Sequence, residues 1–335
     1  MDGVIKEVNR SPQDQLAGML ASDMTGVDRI IHDRMMSHHA PRIPEVTAHL
    51  IDAGGKRLRP MLVLAAARLC GYAGQDHLKL AATVEFIHTA TLLHDDVVDE
   101  SRQRRGRPTA NLLWDNQSSV LVGDYLFARA FQLMVEPGSL QVLDILANAS
   151  ATIAEGEVLQ LTAAQDITTS EETYLRVIRG KTAALFAAAT ESGAVIAGAS
   201  AETAAAFRAY GDALGIAFQI ADDLLDYGGT SAVIGKNVGD DFRERKLTLP
   251  VIRAISQADA GEHAFWDRVI TKGDQTDRDL EQALRIMQRH GTLESARHEA
   301  LLWASRARDA LSVAPALPLR DILGDLADHV VSRLS

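Results

Sequence analysis

The sequence predicts an all-α protein that folds as a single domain over residues 1–335, with about residues 1–20 as an N-terminal segment prone to fraying. Alanine and other good helix formers dominate long stretches such as residues 187–207, and β-branched residues nowhere alternate as they do in strands. Proline and glycine fall at the ends of the helical stretches. A length of 335 residues could hold two domains, but no linker rich in Pro, Gly or Ser divides the chain.

Proline and glycine bound several of the predicted helices. Pro60 opens one helix, because proline is tolerated in the first helical turn, and Gly71 ends it. Two irregular segments stand out: a basic loop at 101–109 and a long loop at 227–245, which we interpret as a lid. The expected helices cover residues 12–39, 45–53, 60–70, 76–99, 116–135, 139–166, 171–191, 200–226, 246–257, 262–271, 276–290, 292–312 and 318–333.

Composition and charge exclude several classes of protein. The chain has 34 basic and 45 acidic residues, a net charge of −11, so it has no general attraction for nucleic acid. The lone cysteine, Cys70, cannot form an intramolecular disulfide, which suits a reducing compartment. No apolar run approaches the roughly 20 residues that span a bilayer, and the N-terminus lacks an apolar signal core. We therefore expect a cytoplasmic protein without a membrane span or a nucleic-acid partner.

Two matching carboxylate clusters are the strongest functional signal. Each reads D-D-x-x-D and follows a long apolar stretch of predicted helix; the clusters are Asp95, Asp96 and Asp99, and Asp222, Asp223 and Asp226. On a helix the first and last carboxylates of each cluster stack one turn apart and repel. One such cluster could be a solvated helix end, but two on core helices indicate bound cations. Mg²⁺ is the natural occupant, because it prefers carboxylate, phosphate and water oxygens.

Basic residues near these clusters predict an anionic ligand. Glycine-led loops and helix starts favour phosphate binding, and arginine binds phosphate oxygens in pairs. Each cation alone is most simply a solvated surface charge, whereas together they suit a metal-bound diphosphate. The candidates are Lys56, Arg57 and Arg59 after Gly54-Gly55, Arg104 and Arg105 in the basic loop, Lys181 beside Thr182 in an apolar helix, Lys236 within the long loop and Lys246 directly after it.

In this order and spacing, five motifs resemble those of the trans-isoprenyl diphosphate synthases. They are GGKRLRP, LLHDDVVDESRQRRGRPTAN, RGKTA, FQIADDLLDY and GKNVGDDFRERKLTLP, and they cover about residues 45–255. The resemblance is greatest to the long-chain branch, which makes octaprenyl, solanesyl and decaprenyl diphosphates. It implies an isoprenoid-synthase helical bundle with a central cavity, a homodimer, and a prenyltransferase that joins isopentenyl diphosphate to an allylic diphosphate, with farnesyl or geranylgeranyl diphosphate as primer.

The resemblance also implies a role for each matching residue. About three Mg²⁺ ions would be held by Asp95, Asp99 and Asp222, with support from Asp96, Asp223 and Asp226. The diphosphate of isopentenyl diphosphate would be held by Lys56, Arg59, His88 and Arg105, with Arg57 in the same loop. The allylic diphosphate would be held by Arg104, Lys181, Lys236 and Lys246, and the reacting end would be lined by Thr182 and Gln219. The residues expected to act in catalysis are Asp95, Asp96, Asp99, Lys181, Asp222 and Asp223.

Residues one to two turns before Asp95 would line the path of the growing chain. In the family an aromatic side chain four or five positions before this aspartate stops growth early. This sequence has Ala90 and Thr91 there, which predicts a product of C30–C50, with C40–C50 favoured. Alternatively, Ala90 is only a packing choice and a bulky residue on a neighbouring helix closes the path.

Other functions remain open at this stage. The chemistry would be the same in a farnesyl or geranylgeranyl diphosphate synthase, a terpene cyclase shares the first cluster, and a non-catalytic partner subunit shares the bundle. Glu85 and His88 also match one E-x-x-H element of a di-iron bundle, but no second element accompanies them. The sequence departs from the family at Arg245, where glycine is usual. If that position has positive φ, Arg245 strains the loop, or it adds a phosphate contact.

Overall fold

Helices dominate the part of the chain that the computed structural model describes, residues 10–37, 39–52, 54–228 and 239–333. This confirms the all-α prediction. None of the helices in those ranges combines the length and apolar character needed to cross a bilayer. The α-helices are α1 (Pro12–Met19), α2 (Ala21–Met35), α3 (Arg42–Asp52), α4 (Leu58–Leu69), α5 (Asp76–Val98), α6 (Ala110–Leu113), α7 (Asn116–Val135), α8 (Leu140–Ala163), α9 (Glu171–Ile178), α10 (Ala184–Ile196), α11 (Ala201–Gly228), α12 (Asp240–Arg243), α13 (Leu249–Ser256), α14 (Ala260–Trp266), α15 (Asp279–Arg289), α16 (Thr292–Ala310) and α17 (Pro318–Ser332).

The two helices that carry the aspartate clusters lie at the centre of the bundle. Helix α5 packs against α4, α7 and α10, and α11 packs against α10 and α16. The crossing of α10 and α11 is close enough to require glycine, since a Cβ on Gly211 would lie 2.4 Å from the carbonyl oxygen of Phe186. Burial of a large apolar side chain contributes about 1.5–3 kcal/mol. The core therefore fixes the positions of both clusters.

A second, smaller apolar cluster supports the region after α11. Tyr227 at the end of α11 joins Phe242 of α12, Val251 of α13, Trp266 of α14 and Met287 of α15. All five side chains are almost fully buried. This cluster anchors both sides of the segment 244–248, which carries Arg245 and Lys246.

The prediction that the chain contains no strands is wrong at one place. Two residues on each side of a tight turn pair as antiparallel strands, β1 (Gln103–Arg104) and β2 (Arg107–Pro108). The central residues of the turn, Arg105 and Gly106, both have positive φ, which is the type I′ geometry that matches the twist of a hairpin. No alternating pattern of polar and apolar residues indicated these strands, because each is only two residues long. The basic loop is thus a hairpin that presents Arg105 at its tip.

Several helix boundaries also differ from the prediction. The helix expected at 12–39 is interrupted at Leu20 and ends at Met35. Pro44, expected to precede a helix, lies in the first turn of α3, where the missing N–H costs nothing. The helix expected from residue 246 begins at Leu249, because Thr248 is extended and occupies the N-cap. Lys246 therefore lies in a loop rather than on a helix.

A five-residue π-turn, Arg179–Ala183, interrupts the helix predicted over residues 171–191. It joins α9 to α10, and it contains Lys181 and Thr182. Gly180 packs directly on α8, where a Cβ would lie 2.9 Å from the Cα of Gly156. Single π-turns of this kind are frequent at functional sites.

Candidate active site

The first aspartate cluster lies at the C-terminal end of α5. Asp99 is the C-cap residue, and Asp95 lies one turn earlier. Within the described ranges, neither side chain takes part in a hydrogen bond or an ion pair. Burial raises the pKa of Asp95 to about 7, with Glu157 and Asp99 adding to the effect and Lys181 opposing it. Negative charge is also unfavourable at a helix C-terminus, and neither carboxylate has a hydrogen-bond or ion-pair partner among the described residues to offset this cost.

Asp96, the middle member of the first cluster, points the other way. Its side chain is fully buried, and its Oδ1 accepts hydrogen bonds from Nε and Nη2 of Arg104 at 2.8 and 2.7 Å. Burial raises the pKa of Asp96, and the bonds from Arg104 counteract this effect. Arg104, expected to hold the allylic diphosphate, uses Nε and Nη2 to fix the hairpin against α5, and its Nη1 has no hydrogen-bond partner among the described residues.

The second cluster, on α11, divides in the same way. Asp222 is exposed, and its side chain makes no hydrogen bond or ion pair with any described residue. Asp223 is buried and accepts hydrogen bonds from the Tyr174 hydroxyl at 2.7 Å and from Nε2 of Gln219 at 2.8 Å. Asp226 accepts the backbone N–H groups of residues 240 and 241 at 3.2 and 3.0 Å. The two buried members thus hold the local structure and leave Asp222 free to bind.

The hydrogen bonds of Asp223 and Asp226 do not fully offset the cost of burying their negative charge. Burial and the nearby charge of Asp241 raise the pKa of Asp223 to about 8, although its two hydrogen bonds act in the opposite direction. The same two causes raise the pKa of Asp226 to about 6, against the hydrogen bonds from the start of α12. An added cation would therefore stabilise this end of α11 as well.

One cavity of about 590 Å³ connects the two clusters. Its wall is formed by the end of α5, by α8 and α9, by the π-turn, by α11 and by the loop after α12. The cavity thus brings together residues from four of the five motifs. The predicted site residues that line it are Asp99, Lys181, Thr182, Gln219, Asp222, Asp223 and Lys246.

A chain of hydrogen bonds crosses this cavity from the π-turn to α11. The Thr182 hydroxyl donates to Oε1 of Gln219 at 2.8 Å, and Gln219 in turn donates to Asp223. Lys181 lies beside Glu157 of α8, with Nζ 3.0 Å from Oε2. Lys246 contacts Asp241 and Glu244 at 3.5 and 2.6 Å. Both lysines thus have carboxylate partners that an incoming anion must replace.

A second group of basic side chains, here called the basic pocket, surrounds His88 on α5. Arg59 places Nη1 3.3 Å from His88 Nε2 and its guanidinium 4.5 Å from the centre of the Phe186 ring. Burial and four surrounding arginines hold the pKa of His88 well below its usual range, so it is neutral. Burial lowers the pKa of Arg59 to about 10, and its Nε is buried without a partner. This concentration of positive charge suits an anion.

Arg57 and Arg105 also lie close enough to lower the pKa of His88, whereas the charges that act on Lys56 are those of Arg333, Asp222 and Asp14. Arg57 has positive φ at the start of α4 and contacts Glu85 at 2.8 Å. Arg105, at the tip of the hairpin, donates to the carbonyl oxygen of Gly54. Lys56 is exposed; burial of part of its side chain and the charge of Arg333 lower its pKa, while Asp222 raises it. Lys236 lies outside the described residues.

The two residues expected to control product length are placed in the core. Ala90 is fully buried on α5, in line with the buried Phe86 and Ile87. Thr91 is half-buried and donates its hydroxyl to the carbonyl oxygen of His88 at 2.8 Å. Neither position carries an aromatic ring that could block the path of a product chain below Asp95.

Three polar residues at the site escaped the sequence analysis. Glu157 contacts Lys181, Tyr174 contacts Asp223, and Asp241 lines the cavity. Glu157 and Tyr174 belong to helices that carry no recognised motif, and only tertiary packing brings them to the site. Asp241 lies within the fifth motif, as Lys246 does, and this proximity in sequence could have indicated that Asp241 is part of the site.

The described residues fit Mg²⁺ that also binds phosphate. No group of three or more His, Cys, Asp or Glu side chains in the described ranges converges to form a complete metal cage. Mg²⁺ does not need one, because it commonly uses one or two carboxylates and completes its shell with water and substrate phosphates. The unpartnered carboxylates of Asp95, Asp99 and Asp222 are suitable ligands of this kind.

Comparisons with known proteins identify close relatives. The family model described as Polyprenyl synthetase matches residues 40–287. The chain is 45% identical to octaprenyl diphosphate synthase of Escherichia coli (strain K12) over 94% of this chain and 97% of that protein. It is 43% identical to the all-trans-nonaprenyl-diphosphate synthase (geranyl-diphosphate specific) of Rhodobacter capsulatus, over 96% and 98% of the two chains.

Solved structures agree in fold over nearly the whole chain. A decaprenyl diphosphate synthase from Rhodobacter capsulatus has a TM-score of 0.94 and 70% identity, covering 97% of this chain and 100% of its own. A polyprenyl synthase from Caulobacter crescentus CB15, in complex with calcium and isoprenyl diphosphate, has a TM-score of 0.92 and 52% identity, covering 96% and 98%. These similarities confirm the resemblance inferred from the five motifs.

The unpaired charge of Asp95 predicts that this residue destabilises the cation-free protein above neutral pH. Because the pKa of Asp95 is higher in the folded than in the unfolded state, folding stability is lost as pH rises from about 4 through 7. Asp95→Asn should therefore stabilise the protein at pH 8 in EDTA by on the order of 2 kcal/mol, after allowance for solvent screening. Urea unfolding of the parent and the variant at pH 4 and at pH 8 measures this difference in the free energy of unfolding.

The matched control is Asp325→Asn, which neutralises an exposed carboxylate on α17. It should leave the free energy of unfolding within about 0.5 kcal/mol of the parent at either pH. At pH 4 the Asp95 variant should also match the parent. A loss of stability at pH 8 on replacing Asp95 would contradict this account of its environment.

Proposed function

The chain belongs to the polyprenyl synthetase family, and from this we propose that its two aspartate clusters and basic pocket join isopentenyl diphosphate to an allylic diphosphate. The protein is a prenyltransferase that makes long-chain all-trans polyprenyl diphosphates, in keeping with its octaprenyl, nonaprenyl and decaprenyl relatives. The substrates, the metal and the role of each residue are the proposed part.

The observation that carries the proposal is the division of labour among the six aspartates. Asp96, Asp223 and Asp226 are held by hydrogen bonds inside the protein. Asp95, Asp99 and Asp222 have no such partners among the described residues, and Asp99 and Asp222 line the same cavity from opposite helices. Carboxylates arranged around an open space without partners are suited to a bridging cation and a ligand that brings its own oxygens.

We assign Mg²⁺, about three ions with diphosphate bound, to Asp95 and Asp99 on one side and Asp222 on the other. When bound, Mg²⁺ neutralises the charge that develops on a departing diphosphate. Lys181 and Lys246 contribute fixed positive charge at the same cavity, with Lys236 and Arg104 assigned to the same diphosphate. To bind it, Lys181 exchanges its contact with Glu157 for a phosphate oxygen.

We assign the diphosphate of isopentenyl diphosphate to the basic pocket around His88. Its cations are Lys56, Arg57, Arg59 and Arg105, and the buried unpartnered Nε of Arg59 offers a ready donor. His88 is neutral, so it can donate one hydrogen bond to a phosphate oxygen while it contacts Arg59. The two diphosphate positions are thus separated by the end of α5.

The proposed reaction proceeds by ionisation, addition and proton loss. The C–O bond of the allylic diphosphate breaks, and its electron pair leaves with the diphosphate. The double bond of isopentenyl diphosphate attacks the allyl cation, which forms the new C–C bond, and a proton then passes to the released diphosphate. Thr182 and Gln219 line the reacting end, where their mutual hydrogen bond keeps both polar groups oriented. Exclusion of water protects the cation from hydrolysis.

Incubation with farnesyl diphosphate, labelled isopentenyl diphosphate and Mg²⁺, followed by sizing of the dephosphorylated products, tests this function directly. The parent should incorporate label into products of C30–C50. Asp222→Asn should lower incorporation about 100-fold or more, because the charge developing on the diphosphate loses a stabilising partner. Asp325→Asn should retain full activity. A parent that incorporates no label would leave the cyclase and the silent partner subunit as the remaining candidates.

We propose that the small side chain of Ala90 leaves space for the product chain to grow into the bundle. It lies five residues before Asp95 on α5, and its small side chain is packed in the core beside α10. A larger side chain at this position would project into the space below the reacting end. The alternative, in which Ala90 only packs, predicts that enlarging it affects stability without affecting the product.

The series Ala90→Val, Ala90→Leu and Ala90→Phe should shorten the product progressively, with Ala90→Phe giving mainly C20 or shorter. Thr91→Val is the control, because it keeps the size of the side chain and removes only the hydroxyl. Product sizing by chromatography measures the effect, and thermal unfolding confirms that each variant is folded. Folded variants with unchanged product length would refute the placement of the chain.

We also propose a homodimer that forms through α7 and its neighbours. Val120, Leu121, Phe131 and Val135 share one face of α7, and each is at least 38% exposed. Leu140 at the start of α8 is 82% exposed beside them. An apolar surface of this kind in a soluble enzyme is characteristic of a protein interface. Because α7 packs on α5, this face lies directly behind the first aspartate cluster.

Leu121→Glu should convert the dimer to a monomer at micromolar concentration, since it places a charge in the apolar face. Size-exclusion chromatography with light scattering measures the mass. Leu301→Glu changes a leucine that is also partly exposed, but on α16, and should leave the dimer intact. Equal masses for the parent and the Leu121 variant would rule out this face as the interface.

A further inference from the structure

Arg245 occupies a backbone position that favours glycine. Helix α12 ends in a Schellman motif, in which the N–H of Lys246 bonds to the carbonyl oxygen of Asp241 and that of Arg245 bonds to Phe242, at 2.9 and 3.0 Å. Arg245 is the left-handed residue of this motif, with φ of +58°. Glycine takes this conformation freely, whereas in a residue with a Cβ the Cβ comes too close to the backbone.

A glycine beside Arg245 leaves room for its side chain. Gly273 packs against the guanidinium so closely that a Cβ there would lie 2.7 Å from Nη1 of Arg245. Gly273 itself has φ of +68°, so a larger residue would be disfavoured at that position by its backbone as well. Two unusual positions therefore combine to accommodate one arginine.

Arg245 lines the cavity between the aspartate clusters, yet its charge has no partner there. Within the described residues its guanidinium makes neither a hydrogen bond nor an ion pair, although six carboxylates share the cavity wall. The other cations at this wall, Lys181 and Lys246, both contact carboxylates. Arg243, two residues earlier, contacts Asp240 instead of the cavity.

From this combination we propose that Arg245 binds the diphosphate of the allylic substrate, in addition to Lys181 and Lys246. The inference rests on the proposed function, because it takes the cavity to be the allylic site. A guanidinium without a carboxylate partner can turn toward phosphate oxygens without first breaking an ion pair. It can also donate two parallel hydrogen bonds, which a lysine cannot do. The strained backbone is then retained for substrate binding.

The informative substitution is Arg245→Gly, which removes the guanidinium and relieves the backbone at once. It should raise KM for the allylic diphosphate about tenfold, which is the effect of losing one charged hydrogen-bonding partner. KM for isopentenyl diphosphate and kcat should change by less than about threefold. The melting temperature should stay equal or rise. Arg245→Gln, which keeps the Cβ and most of the side-chain length, should lose the same affinity without the gain in stability.

Arg243→Gln is the matched control, since it removes an arginine from the same short segment without touching the cavity wall. It should leave both KM values within about twofold of the parent. If Arg245→Gly lowers the melting temperature and leaves KM for the allylic substrate unchanged, Arg245 is a packing residue and the proposal is wrong. A change confined to KM for isopentenyl diphosphate would likewise overturn it.

Calorimetric titration of the free protein with inorganic diphosphate and Mg²⁺ provides a readout independent of turnover. Kd should be about tenfold higher for Arg245→Gly than for the parent, and the binding of the variant should depend less on salt concentration. An inactive parent would contradict the proposed function, whereas this titration would still test Arg245. An active parent with equal Kd values for both proteins would refute only the role of Arg245.

Discussion

Uncompensated negative charge at the ends of two buried helices is the constraint on which the structure depends. Asp95 and Asp99 end α5, where the helix dipole already disfavours carboxylates, and Asp222 faces them from α11 without a partner among the described residues. The apolar core holds both helices in place, so the carboxylates cannot separate to reduce their repulsion. Binding of cations and of an anion that brings its own oxygens is the event that balances these charges.

Helix α5 also fixes the distance between the two diphosphate positions that we propose. His88 and Asp95 are seven residues apart on α5, about two turns or roughly 10 Å along the axis. Arginines surround the first residue and carboxylates surround the second, so the site has opposite charge at its two ends. Because a buried helix is rigid, substrates bound at the two proposed positions would be held at a constant separation, which favours the same carbon–carbon bond in every cycle.

Helix-forming composition, together with Pro and Gly at the helix ends, was sufficient to predict the all-α class, whereas the bundle around a central cavity was implied by the resemblance to the prenyl synthases. The D-D-x-x-D spacing predicted which carboxylates share a face within α5 and within α11, whereas the expectation that the two helices face one another came from the resemblance to the prenyl synthases. The π-turn at Lys181 could not be predicted, because it depends on the contact between Gly156 and Gly180, on elements distant in sequence. Tyr174 was missed for the same reason: its partner, Asp223, is 49 residues away.

Backbone strain marks the site as clearly as the motifs do. Every non-glycine residue with positive φ in the described ranges borders it: Glu100, Gln165 and Arg245 line the cavity, and Arg57 and Arg105 belong to the basic pocket. Each such conformation costs on the order of 1 kcal/mol or more and persists only where surrounding structure enforces it. The main apolar core and the smaller apolar cluster around Tyr227 hold these residues in place. The stability of the bundle is thus used to hold charged side chains in directions that a relaxed loop would not maintain, which reduces the rearrangement needed when the substrates bind.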